Sequence, residues 1–204
     1  MIGLLTSRNT YVAQTSRPLV VEDLDEYADS PSLVPDRFVS ISTKFANVHP
    51  LQGKPLSDIL PRYPNEEIIG SASDLVQYLI RKRQQEIFRS GGVHWSERID
   101  GIRCSFESKE DANLFVICIR HHALVFVRKE DVIGYTHGFE YQGATELLYW
   151  LTRLFQEKSY DTNRDRVILM GEIQFKREAY AMLQPFFKHV WVEDLNPLTV
   201  FEMS

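Results

Sequence analysis

The sequence predicts an α/β fold, and three features of its C-terminal half carry that prediction. Apolar runs at residues 114–119, 123–127 and 132–135 follow one another across short polar turns, which is the spacing of a strand meander. Residues 145–157 then place Leu147, Leu148, Leu151, Leu154 and Phe155 along one side of a helix. A fourth apolar run, 167–170, closes on Gly171. A strand returning through a crossover helix lies parallel to its neighbour, and the crossover is right-handed, so these elements form a mixed sheet.

Each element of this half has its own reason. The runs 114–119 and 123–127 are continuous rather than alternating, so both faces of their sheet are expected to be covered. The helical stripe must dock on that sheet, since each large side chain buried gains roughly 1.5–3 kcal/mol. Glu146 suits the positive end of that helix. The run 167–170 is apolar throughout, as a central parallel strand should be. A second helix over 176–184 buries Tyr180 and Leu183 and ends or kinks at Pro185. A last strand is expected at 190–192.

The N-terminal half is less regular. Residues 1–21 read as two or three short strands around the polar turns Ser7-Arg8-Asn9 and Ser16-Arg17-Pro18, and 22–32 are acidic and turn-rich. A helical piece is expected after Pro35, because proline suits a first helical turn. Pro50, Pro55, Pro61 and Pro64 exclude any long regular element over 49–65. Residues 67–70 read as a strand and 71–88 as a helix capped by Ser71 or Ser73, with Leu75, Val76, Leu79, Ile80, Ile87 and Phe88 as its apolar stripe. Arg81, Lys82, Arg83 and Arg89 would give that helix a basic patch, read as a solvated face. Gly91-Gly92 ends it, and 93–95 is another strand. Over 97–106, Ile99, Ile102 and Phe106 fit a helix while Ile102, Cys104 and Phe106 fit a strand. Both readings stand, with Gly101 weighing against the helix.

The bulk numbers bound the function. A chain of 204 residues, 44% hydrophobic, can bury an ordinary core as one large domain or two small ones. A net charge of -5 argues against broad nucleic-acid binding, which needs clustered cations. Two cysteines, Cys104 and Cys118, make no disulfide framework and no zinc-ligand spacing, and they fit a reducing compartment. The N-terminus is too short and uncharged for a signal peptide, and no apolar run approaches the roughly 20 residues of a membrane span. A cytoplasmic protein without membrane insertion is the expectation.

Three strands, a helix and a returning strand make up half of an actin-like or ribonuclease H-like domain. Further stretches sharpen the likeness: 114–120 leading into 121–129, then Gly138-Phe139-Glu140-Tyr141 before Glu146-Leu147-Leu148-Tyr149-Trp150-Leu151, and 166–173 ahead of Tyr180. Together they resemble an uncharacterised bacterial family, typical of Bacteroidetes, whose folds are degenerate actin-like ATPases. The resemblance covers about 114–191 well, 67–106 more weakly, and earlier only Leu33-Val34-Pro35. It implies two βββαβα-type lobes, 1–108 and 109–204, the first shortened and with incomplete opening strands.

The chemistry of that fold looks erased. Active actin-like enzymes carry an Asp-x-Gly turn between the first two strands of each lobe, where the acid holds magnesium-bound water and glycine admits the phosphate. The matching positions of the second lobe read Cys118-Ile119-Arg120, and residues 1–21 contain no Asp-x-Gly. No Gly-x-Ser-x-Gly elbow, phosphate loop or helical pair of histidines occurs. No catalytic residue, metal site or cofactor is therefore assigned. The residues left as cleft candidates are Arg120, His121 and His122 on the turn, with Gly171 and Glu172 after the returning strand. The sequence thus favours a non-catalytic scaffold or partner-binding module, a pseudoenzyme whose partner is another protein, and leaves self-association open. Its rival is a protein that binds a nucleotide or anion in the inter-lobe cleft.

Overall fold

A computed structural model describes residues 2–5, 10–14, 20–23, 37–43, 45–47, 66–70, 76–81, 93–171 and 173–193 of the chain. In the C-terminal half, β9 (Asn113–Ile119), β10 (His122–Lys129) and β11 (Val132–Glu140) form the meander. They are followed by α1 (Ala144–Lys158), β12 (Arg166–Gly171), α2 (Ile173–Leu183) and β13 (His189–Val192). The sheet order is β11-β10-β9-β12-β13, with β12 parallel to both β9 and β13. Every strand and helix expected here is present, and β11 runs five residues beyond the apolar run that announced it.

Both faces of β9, β10 and β12 are buried, as the continuous runs required. On one face Leu114, Val116, Cys118, Val125, Val167 and Leu169 pack under Leu147, Leu151, Leu154 and Phe155 of α1 and Ala179 and Leu183 of α2. The helix is capped at Gly143, and the Glu146 carboxylate reaches back to accept the Gln142 N–H at 2.9 Å, tying the residue before the cap to the first turn. It ends at Ser159, whose φ of 56° turns the chain off the helix.

The N-terminal half forms a second five-stranded sheet, from β1 (Ile2–Leu5), β2 (Thr10–Gln14), β3 (Val20–Asp23), β4 (Arg37–Ser40) and β8 (Val93–His94). Its order is β3-β2-β1-β4-β8, with β1–β2 and β2–β3 antiparallel and β1–β4 and β4–β8 parallel. That is the topology of the C-terminal sheet, strand for strand. The opening strands, expected to be incomplete, are all three present. A separate antiparallel sheet, β5-β7-β6, joins β5 (Phe45–Asn47), β6 (Glu66–Gly70) and β7 (Val76–Arg81).

Two helix expectations fail here. The residues after Pro35 form β4, a strand with parallel partners on both sides. Within 71–88, residues 76–81 are β7, the middle strand of its sheet. Val76, Tyr78 and Ile80 recur at every second residue, although Leu79 blurs the alternation, so a period of two was available, and two antiparallel partners favoured it over an imperfect helical stripe. The rest of that predicted helix, including Lys82, Arg83 and Arg89, lies outside the described residues. Segment 97–106 adopts neither open reading: it holds tight 3₁₀ turns at Trp95–Glu97 and Ile99–Gly101.

The two five-stranded sheets meet in one apolar core. The helix-free face of the C-terminal sheet presents Phe115, Ile117, Ile119, Leu124, Phe126, Ile168 and Met170 to Val39, Ile41, Trp95, Ile99 and Ile102. Arg128 is buried at the edge of this core, its guanidinium 5.2 Å from the Phe115 ring and 5.4 Å from the Phe126 ring. It donates to the Ile102 carbonyl at 2.7 Å, the Ile99 carbonyl at 3.1 Å and the Glu107 carboxylate at 3.0 Å. A buried cation is tolerable on those terms, and it fastens the 3₁₀ segment to the sheet.

Candidate functional site

In open α/β sheets, ligands gather beyond the C-terminal ends of parallel strands. The sequence candidates fall at that end of the C-terminal sheet. Arg120 and His121 form the turn between β9 and β10, while Gly171 ends β12 directly across from Cys118. The candidates do not make one cluster. Arg120 and His121 are exposed, whereas His122 is buried within the sheet between Ile119 and Glu140. Glu172 lies outside the described residues.

The turn itself is tightly tied. Arg120 has a φ of 50°, the left-handed region that glycine would enter without cost. Tyr141 closes it from the far end of the meander: its hydroxyl donates to the Arg120 carbonyl at 2.8 Å and its N–H to the His121 carbonyl at 2.9 Å. The geometry is that of a hairpin turn held by an aromatic anchor.

Cys118 occupies the position where the acid of an Asp-x-Gly turn was sought. It is fully buried, and its thiol belongs to the core beneath α1 and α2, on the opposite face from the other sheet. Cys104 is half-buried, with burial and the nearby Glu107 pushing its thiol pKa up. Among the described residues both cysteines are free thiols, and no group of three histidine, cysteine or acidic residues is placed to hold a metal ion.

Gly171 has a structural reason to be glycine. Its φ is +107°, and a Cβ there would stand 1.9 Å from the Cys118 carbonyl oxygen. The missing side chain lets β12 lie against β9 at their shared end, a stronger demand than the simple exit from the sheet that the sequence offered.

The residues that matter most at this end were not singled out beforehand. The chain leaving β4, Ile41 to Thr43, runs onto the helix-free face of the C-terminal sheet, with Ile41 in the same core as Ile119 and Met170. Thr43 seats on Gly138 of β11, where an added Cβ would come within 2.9 Å of the Thr43 Cα. Behind it stands His94, fully buried at the end of β8: its Nε2–H donates to the Ser42 carbonyl at 3.1 Å, and its Nδ1 accepts from the Ser96 hydroxyl at 2.8 Å. Burial pushes its pKa down to about 3, against the pull of the Ser42 bond. A glycine inside a strand signals close backbone approach, so Gly138 was readable. A single buried histidine carries no such mark.

Residues 101–190 match a family model described as "Protein of unknown function (DUF3822)". No curated protein matches the sequence. Among solved structures, the chain is similar to a protein of Bacteroides thetaiotaomicron VPI-5482 described as having an actin-like ATPase fold and unknown function. The TM-score is 0.73 at 10% identity, covering 100% of this chain and 95% of that one. More distant are a Baf-family protein of Campylobacter jejuni, with TM-score 0.43, 6% identity and coverage of 99% and 95%, and an Alp12 filament structure, with TM-score 0.40, 5% identity and coverage of 87% and 70%. The chain thus has the actin-like ATPase fold, and the larger part of its C-terminal half follows the pattern of a family of unknown function.

Proposed function

We propose that this chain is a non-catalytic actin-like protein of the cytoplasm, a scaffold or partner-binding module whose two lobes are residues 1–108 and 109–204. One observation carries the reading. The space between the sheets, where an inter-lobe cleft was sought, holds the chain's own Val39, Ile41 and Trp95 in one core with Ile117, Ile119 and Met170. A ligand there would have to displace fully buried apolar side chains. Cys118 adds to this, because a thiol is a poor ligand for a hard cation and this one faces the other way. The partner is taken to be a protein rather than a nucleic acid, given the net charge of -5.

The rival reading keeps one supporting feature: Arg120 and His121 stand exposed at the strand ends, and a guanidinium suits a phosphate or carboxylate. Calorimetry with Mg-ATP and, separately, with metal-free inorganic phosphate tests both readings, alongside phosphate release from highly purified protein. The expected result is no tight Mg-ATP binding and no turnover. Weak phosphate binding lost in Arg120→Ala would support the anion site alone. Micromolar, magnesium-dependent ATP binding would sink the non-catalytic reading.

A further inference from the structure

We draw no further inference here: the strongest candidate, the surface patch along the edge strand β11, where exposed His137 and Tyr149 flank the half-buried Tyr135 and Trp150, is unpartnered among the described residues, and nothing in the structure shows what covers it.

Discussion

A methyl group at Gly171 would meet the Cys118 carbonyl oxygen at 1.9 Å on a backbone with φ of +107°. Neither the contact nor the backbone can relax cheaply, because Gly171 and Cys118 are register partners in the middle of a five-stranded sheet. Gly171→Ala should therefore cost about 3 kcal/mol or more, read as a lowered urea midpoint. A loss within experimental error would show that the strands can separate here without penalty. His94 offers a second test, through pH. Its imidazole stays neutral in the fold down to about pH 3, whereas in the unfolded chain it protonates near 6.5. Between those values the unfolded state binds more protons, so this contribution is complete above pH 6.5 and is lost as pH falls toward 3. The shift corresponds to a loss on the order of 5 kcal/mol across that window. His94→Gln keeps a donor and an acceptor but does not titrate. Its stability should fall less than wild type between pH 7 and pH 4, and parallel curves for the two proteins would remove His94 from the account.

At the scale of elements, α1 is the dock of the C-terminal sheet. Leu151 is fully buried, in a cluster with Leu147, Leu154 and Phe155 over the sheet. Leu151→Asp would bury a carboxylate among them, at several kcal/mol against a total stability of roughly 5–15 kcal/mol. Loss of cooperative melting is the expected result, and a wild-type melting temperature would mean the helix docks by another face. This element was legible in the sequence because a helix that packs by one stripe writes that stripe at a fixed period, and the continuous strands beneath it say that both faces are covered. The N-terminal half was harder to read. Its strands β1, β4 and β8 have four, four and two residues, too short for any period to show, and the pairing of β4 is decided by partners distant in sequence. The site was half legible for the same reason. Arg120, His121 and Gly171 could be placed at the strand ends because they flank long, readable strands. Ile41 to Thr43 were missed because their importance lies in what they touch across the molecule.

At the scale of the whole molecule, the helix-free face of the C-terminal sheet decides whether the halves are independent. Phe115, Ile117, Ile119, Leu124, Phe126, Ile168 and Met170 are each fully buried, and their cover includes Val39, Ile41, Trp95, Ile99 and Ile102 from the other half. At roughly 1.5–3 kcal/mol each, losing that cover would cost on the order of 10 kcal/mol, comparable to the stability of an entire domain. Arg128 makes matters worse for an isolated half. The acceptors that hold its guanidinium, the Ile99 and Ile102 carbonyls and the Glu107 carboxylate, all precede residue 109. Cut at that point, the fragment keeps a cation beside two phenylalanine rings without those three acceptors. Residues 109–204 expressed alone should therefore fail to form a native sheet, although they contain every strand and helix of the readable half. The expected signs are binding of a hydrophobic dye, near-native secondary structure without a sharp melt, and poorly dispersed amide resonances. Adding back residues 93–108 should restore part of the order, because that segment brings Trp95, Ile99, Ile102 and Glu107 to the exposed face. A fragment 109–204 that is monomeric, melts cooperatively and gives a dispersed spectrum would show that the junction is a contact between two self-sufficient lobes. In that case the packed space between the sheets would no longer argue against a cleft that opens.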